Sequence, residues 1–307
     1  MKKILIATEK PFAKAAVDGI RQIIDGAGFE AVLLEKHTDK QQLLDAVADA
    51  DALIVRSDKV TAEVVAAASN LKIVVRAGAG YDNVDLAACS AKGIVVMNTP
   101  GQNSNAVAEL AIGMMIFMAR NQFHPGTGRE IKGKMLGIHA YGNVGRLVAK
   151  AAQGMGMSVC AFDAFVPASA MEADGVKAIG SVEELYSSCD YVSVHIPAVP
   201  ETIKSLNYDL LSRLPKGATV VNTARKEVVD EEQLVQLLTD REDLKYATDV
   251  ATGNQAELNE KFGLRVFATT KKMGAETAEA NLNAGLAAAN QIVDFLVNGN
   301  TRFQVNK

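Results

Sequence analysis

Three residues at fixed spacing carry the strongest chemical signal: Gly142, Gly145 and Asp163. Met135–Ile138 reads as an apolar strand, a glycine-bearing turn follows, a helix opens near Asn143, and a second apolar strand, Val159–Phe162, ends on the acid. A strand–turn–helix–strand unit of this kind holds a dinucleotide. Gly142, lacking a Cβ, would let the backbone come up to a pyrophosphate, and Gly145 would let the helix lie close to the strand. Asn143 and Val144 would present free N–H groups at the helix N-terminus, where the dipole favours an anion. A carboxylate at Asp163 would accept from a ribose 2′-OH and repel a 2′-phosphate, so the expected cofactor is NAD rather than NADP. The first position of the fingerprint is Ala140 instead of glycine, giving A-x-G-x-x-G. Alanine fits a tight turn there only with a negative φ, and a negative φ is the expectation.

The remaining reactive side chains exclude several classes. His37, His124 and His139 have no partners at metal-like spacing along the chain, so no metal is expected. Cys89, Cys160 and Cys189 are scattered, with no C-x-x-C, and read as reduced thiols of a cytoplasmic protein. A net charge of −4 argues against nucleic acid as a partner. The start, M-K-K-I-L-I-A-T, reads as a first strand and not as a signal peptide. The most apolar stretch, Leu110–Met118, is far too short to span a bilayer, so no membrane association is expected.

The elements that must position these residues repeat in a regular way. Ile4–Ala7, Ala31–Leu34, Ala52–Val55, Ile73–Val75 and Ile94–Met97 form a first set of strands. Between them Ala13–Asp25, Lys40–Ala48 and Thr61–Ala68 carry apolar residues at helical spacing. Thr99-Pro100-Gly101 breaks the alternation, and a long apolar helix of about Asn105–Arg120 leads to the glycine turn. A second set follows: Val159–Phe162, Tyr191–His195, Thr219–Asn222, Tyr246–Thr248 and Val266–Ala268. Such β-α-β alternation implies parallel sheets with helices on both faces, here two doubly wound α/β domains of Rossmann or flavodoxin type. The last helix, Ala278–Val297, ends at Asn298-Gly299 and has no strand of its own to follow, so it is expected to return to the first unit. The expected division is 1–98 plus 277–307 as a discontinuous substrate domain, with 99–276 inserted as the dinucleotide domain. Small ligands bind in the cleft that two such domains leave.

Several ordered blocks resemble one family. Arg76-Ala-Gly-Ala-Gly-Tyr-Asp-Asn-Val-Asp85 is similar to the R-A-G-x-G-x-D-N-[IV]-D signature of the D-2-hydroxyacid dehydrogenases. V-M-N-T-P-G-Q-N-S-N-A-V-A-E-L (Val96 to Leu110), D-Y-V-S-V-H-I-P (Asp190 to Pro197) and V-V-N-T-A-R-K-E-V-V-D (Val220 to Asp230) match three more blocks in order. The resemblance covers essentially the whole chain, and the N-terminal blocks are most similar to members whose substrate carries a phosphate. It implies hydride transfer between NAD and C2 of a small phosphorylated 2-hydroxy acid, in a homodimer.

Residue roles follow from the same resemblance. Arg225 would hold the substrate carboxylate by its planar fork and polarise the C2 oxygen. The family's acid/base histidine, in T-P-H-[IL]-G-A, aligns with Lys272 of T-K-K-M-G-A, and its glutamate partner aligns with Asn254. Both members of the pair are replaced together. A histidine needs a carboxylate to fix its tautomer and keep its pKa up. A lysine must instead lose its proton well below its ordinary value of about 10.4, so an amide is the compatible neighbour. Lys272 is therefore the expected acid/base. Arg56, Arg76, the backbone of Ala77 and Gly78, and Asn103 are the implied substrate contacts. His195 and Pro197 would line the adenosine side of the cofactor, and Thr223, Ala224, Asp249 and Gly274 the nicotinamide side. Two alternatives stay open here: a reductase of unphosphorylated 2-keto acids, and a non-catalytic NADH-sensing binding protein.

Overall fold

The structure, a computed structural model, describes residues 1–306. In chain order the first elements are β1 (Lys3–Thr8), α1 (Lys14–Gly26), β2 (Glu30–Glu35), α2 (Lys40–Val47), β3 (Ala52–Val55), α3 (Ala62–Ala67), β4 (Ile73–Arg76), α4 (Leu86–Ala91) and β5 (Val95–Asn98). Then come α5 (Ser104–Ala119), β6 (Met135–His139), α6 (Asn143–Gly154), β7 (Ser158–Phe162), α7 (Ala168–Glu172), β8 (Lys177–Ala178), α8 (Val182–Ser188) and β9 (Tyr191–Val194). The chain continues through α9 (Tyr208–Leu211), β10 (Thr219–Asn222), α10 (Glu231–Asp240), β11 (Lys245–Thr248), α11 (Gln255–Phe262), β12 (Val266–Ala268) and α12 (Ala278–Asn298). These elements fall into two compact units, Met1–Asn103 with the segment from Glu276 onward, and Ser104–Ala275.

The first unit is a five-stranded sheet in the order β2-β1-β3-β4-β5, parallel throughout. Its inner strands are apolar on both faces, because helices cover both. Ile4, Ile6, Ile54 and Val75 point to the side of α1 and α12, while Leu5, Leu53, Val74 and Val96 point to the side of α2 and α3. This is the period-two alternation of a strand, with both halves hydrophobic. The Thr277 side chain caps the start of α12, accepting from the Ala280 N–H, and Gly299 ends it with a left-handed φ of 71°. Helices α1 and α12 approach through glycines: a Cβ on Gly19 would lie 2.6 Å from Leu286 Cδ2, and one on Gly285 2.9 Å from Ile20 Cδ1. The free edge of β5 is covered by the C-terminal segment. Val305 N–H donates to Val96 O at 2.9 Å, and the Asn306 side chain bonds Val96 N–H and Ile94 O. An edge closed this way cannot recruit another strand.

The second unit is a seven-stranded parallel sheet in the order β12-β11-β10-β9-β6-β7-β8. From β6 the chain runs outward to β7 and β8, then returns across β6 to β9 and proceeds the other way. The strand order reverses beside β6, and a doubly wound sheet binds its ligand at that reversal, beyond the strand C-termini. One face packs on α5, α6 and α7 through Leu136, Ile138, Val159 and Val221, which meet Met114, Met115, Met118 and Val148. The other packs on α8 to α11 through Val192, Val194, Val220 and Tyr246. Alternation in the sequence located the strands to within a residue or two. It did not locate β8, a two-residue edge strand, nor the helices α4 and α7 to α11.

Overpacking the α1–α12 contact tests this description. Gly285→Val should cost about 1–3 kcal/mol, seen as a lower urea midpoint at unchanged slope, because Ile20 must move to admit the new methyls.

Candidate active site

The glycine turn joins β6 to α6. Gly142 is the residue before the first turn of α6, and nothing lies within 4 Å of a Cβ built on it, so the space above the helix N-terminus is open. Asn143 and Val144 begin the helix there with unsatisfied N–H groups. Gly145 is enclosed: a Cβ would fall 2.3 Å from the Ala140 carbonyl oxygen and 2.9 Å from Ile138 Cγ2. Helix and strand can therefore lie as close as they do only with glycine at that position.

Ala140 departs from the expectation. Its φ is +79°, in the left-handed region, not negative. The turn imposes the conformation of the glycine that the fingerprint calls for, and the alanine adopts it at a cost of roughly 1–2 kcal/mol. Tyr141 explains how the turn is held. It is buried, its hydroxyl donates to Asp174 Oδ2 at 3.0 Å, and Arg146 stacks on its ring 4.8 Å from the centroid while also bonding Asp174. Burial, and then the hydrogen bond to Asp174, push the phenol up to about 12. Asp163 fastens the other side of the turn. Its Oδ2 accepts from Tyr141 N–H at 2.7 Å, and its Oδ1 from Phe165 and Val166 N–H at 2.8 and 3.1 Å. One carboxylate thus shapes the turn and the chain after β7, with lone pairs remaining for a ribose. Nothing in the spacing marked Tyr141 or Asp174 as partners.

Beyond β9 the chain passes His195 and the exposed Pro197. The His195 N–H continues the ladder to His139 O, and its ring meets Ser193 Oγ at 2.9 Å. Burial holds both imidazoles neutral, with His195 pushed down to about 3 and His139 to about 4. A pocket of about 380 Å³ opens beside His139, lined also by Phe162, Glu201, Thr202, Ser205 and Arg213 among others. The buried Ser205 hydroxyl has no partner among the described residues.

The second half of the site is built around β10. Asn222, fully buried, donates to Arg225 O and Tyr246 Oη and accepts from Ala224 N–H, which folds the chain into a tight turn. The turn exposes the Ala224 carbonyl, and Arg225 Nη1 and Lys272 Nζ both donate to it, at 3.0 and 2.7 Å. Asp249 lies at the end of β11. Its Oδ2 accepts from Gly274 N–H at 2.7 Å and Met273 N–H at 3.3 Å, and its Oδ1 is buried without a partner among the described residues. Burial raises this carboxyl above the usual range, against the pull of Lys272, the two N–H donors and Arg225. Gly274 is required by the contact, since a Cβ would meet Asp249 Oδ2 at 2.8 Å. The Thr223 hydroxyl is likewise buried and unpartnered. Asn254 donates through Nδ2 to Glu231 O, while the Glu231 carboxylate accepts from Gly253 N–H. Sequence reasoning did not single out Asn222 or Glu231.

The first unit gathers its own cations. Arg56 donates to the carbonyls of Lys10 and Pro11 and to Asn281 Oδ1, and lies over the Phe12 ring. Arg76 Nε donates to Arg56 O at 3.0 Å. Its guanidinium covers Gly78, where a Cβ would sit 1.7 Å from Nη1, and Gly78 has a positive φ of 154°. Ala77 N–H bonds Val55 O, so the backbone of this loop is anchored to β3. Asn103 lies in the turn that precedes α5. Among the described residues no helix is long and apolar enough to cross a membrane.

Fold and site together define a chain built around a dinucleotide-type turn and a paired arginine and lysine. Residues 6–306 match the model of the D-isomer-specific 2-hydroxyacid dehydrogenase catalytic domain. The chain belongs to that family of oxidoreductases. It is similar to the crystal structure of cofactor (NAD+)-bound 3-phosphoglycerate dehydrogenase from Entamoeba histolytica, with 49% identity, a TM-score of 0.90, and coverage of 100% of this chain and 99% of that one. It is 35% identical to D-3-phosphoglycerate dehydrogenase of Methanocaldococcus jannaschii over 82% of this chain and 51% of that protein. It is 33% identical to hydroxypyruvate reductase of Thermotoga maritima over 86% of this chain and 90% of that protein. The chain thus spans about half the length of the phosphoglycerate dehydrogenase from Methanocaldococcus jannaschii.

Two outcomes are expected from this geometry. Ala140→Gly should stabilise the protein by about 1 kcal/mol in urea unfolding, since the relieved backbone strain outweighs the extra freedom of glycine in the unfolded chain. His139 is depressed on folding, so it binds fewer protons in the native state. Its contribution to stability is complete above about 6.5 and is lost as pH falls towards about 4. His139→Leu should make the melting temperature fall less steeply across that window.

Proposed function

We propose that the chain is an NAD-dependent dehydrogenase that oxidises 3-phospho-D-glycerate to 3-phosphohydroxypyruvate, the first step of serine biosynthesis. The observation that carries the reading is the convergence of Arg225 and Lys272 on the Ala224 carbonyl, beside the buried Asp249. Open space above Gly142, the enclosed Gly145 and the unpartnered Asp249 Oδ1 and Thr223 Oγ1 fit a nicotinamide dinucleotide. NAD, when bound, supplies the acceptor for the hydride from C2. Asn143 and Val144 would donate to its phosphates and Asp163 would hold the ribose. Asp249 and Thr223 would meet the carboxamide. His195, held neutral by burial, serves as a contact and not as a proton carrier.

Arg225 would grip the substrate carboxylate by two parallel N–H bonds and draw charge from the C2 oxygen. Lys272, as a free amine, would take the C2 hydroxyl proton, and as an ammonium would return it in the reverse direction. Arg56, Arg76, the loop of Ala77 and Gly78, and Asn103 would hold the phosphate and the rest of the acid. The catalytic form is expected to be a homodimer. A second reading, reduction of an unphosphorylated 2-keto acid, is favoured by the likeness to a hydroxypyruvate reductase over most of both chains.

A spectrophotometric assay decides between them. NADH should form steadily from NAD and 3-phosphoglycerate, and hydroxypyruvate should be turned over far less efficiently than its phosphate ester. Equal efficiency would favour the second reading, and no turnover of either would leave a non-catalytic binder. Lys272→Ala should lower kcat by roughly 100- to 10,000-fold. The oxidation rate should climb with pH as the amine is freed; a flat profile from about pH 7 to 10 would remove Lys272 from the proton-transfer role.

A further inference from the structure

The parallel order of the first sheet places the C-terminal ends of β2, β1 and β3 side by side. His37 follows β2, Glu9 follows β1 and Asp58 follows β3, so three potential ligands from three separate strands arrive at one edge. One ligand atom from each lies within 4.8 Å of the other two. His37 and Asp58 are only 6% and 3% exposed, while Glu9 is at the surface.

As a bare ion pair, this group is poorly made. His37 Nε2 stands 3.5 Å from Asp58 Oδ1, beyond the ordinary range of an N–H···O bond. The buried Nδ1 has no partner among the described residues. A buried histidine and aspartate held side by side without a proper hydrogen bond between Nε2 and Oδ1 cost free energy, and a cation bound by both atoms is one way to recover it. The same separation suits a cation between the two groups. Ligands bound at about 2.0–2.2 Å in a tetrahedral shell lie roughly 3.4 Å from one another. Asp58 is also oriented as a ligating carboxylate is, with Oδ1 accepting from Glu9 N–H at 2.7 Å and Oδ2 from Arg56 N–H at 3.4 Å. The nearby Arg56 guanidinium is directed to Lys10 O, Pro11 O and Asn281.

We propose that Glu9, His37 and Asp58 form a zinc-type divalent cation site at the C-terminal edge of the first unit's sheet. One imidazole with two carboxylates selects Zn2+ over Mg2+, which prefers oxygen ligands alone. Glu9 forms the solvent side of the site, and water completes the coordination. The bound ion would tie together the ends of β1, β2 and β3 and fix the backbone that carries Arg56. The three ligands are far apart in sequence, so linear spacing hides the site. It does not depend on which substrate the chain takes.

The test uses the whole chain, stripped with a chelator and titrated calorimetrically with ZnCl2, with Mg2+ as control. About one Zn2+ per chain should bind, with a rise in melting temperature, and Mg2+ should give no heat beyond dilution. Co2+ in place of Zn2+ should give the visible bands of a nitrogen–oxygen shell. Glu9→Gln is an exposed change that leaves the core intact; it should leave the metal-free melting temperature unchanged and weaken Zn2+ at least about tenfold, and His37→Gln should abolish binding. The proposal is overturned if no saturable zinc uptake occurs. It is equally overturned if both variants bind Zn2+ as tightly as the parent, which would place the ion elsewhere.

Discussion

Two cations meeting at one carbonyl oxygen set the demands on the second unit. Side chains such as Arg225 and Lys272, converging on Ala224 O, carry like charges that repel each other, with the repulsion screened in part by water at the exposed Lys272. Something must hold them together. The carbonyl offers a concentrated partial negative charge, and Asp249 adds a buried carboxylate whose ionised form is favoured by both cations. Asp249 stays in place because two backbone N–H groups grip one of its oxygens. Asn222 fixes the turn that aims the carbonyl, and Thr248 Oγ1 in turn donates to Asn222 O at 2.8 Å. The site is therefore assembled by neutral, buried hydrogen bonds from β10 and β11, and the charged groups are placed upon that frame.

The fold was legible because hydrophobic alternation is a long-range, repeated signal. Eleven apolar runs each needed only a few consecutive residues to be recognised, and glycine, proline and asparagine marked the breaks. The short elements escaped because they bury little: β8 contributes two residues, and α7 and α9, at five and four residues, are too short to show a helical stripe. The site was legible where chemistry demands a residue type at a fixed place, as with Gly145 or Asp163. It was not legible where a partner comes from a distant segment. Tyr141 and Asp174 lie far apart along the chain, and no periodicity links them. The φ of Ala140 departs from the negative value that side-chain sterics alone favour because the turn decides it: Tyr141 is buried and its N–H bonds Asp163, which holds the backbone in the left-handed conformation.

The paired replacement at 254 and 272 gains a physical basis from the surroundings of Glu231. A carboxylate does lie near position 254, but both its oxygens are turned to the Gly253 N–H. Asn254 is fixed by its own amide donating to Glu231 O, and its buried Oδ1 has no partner among the described residues. Position 254 thus carries a neutral amide where the family's pattern has a carboxylate. This difference matters for a proton carrier. A carbonyl accepts from an amine whether or not the amine is charged, and so holds it in place through both halves of a proton transfer. A carboxylate binds the charged form far more strongly and resists its deprotonation. An imidazole gains from that resistance because its ordinary range already lies near neutrality. An amine, starting some four pH units higher, gains from its absence. The carbonyl of Ala224, which accepts from Lys272, is a neutral acceptor of this kind, and a carboxylate placed beside the amine would oppose the deprotonation that the proposed lysine role needs.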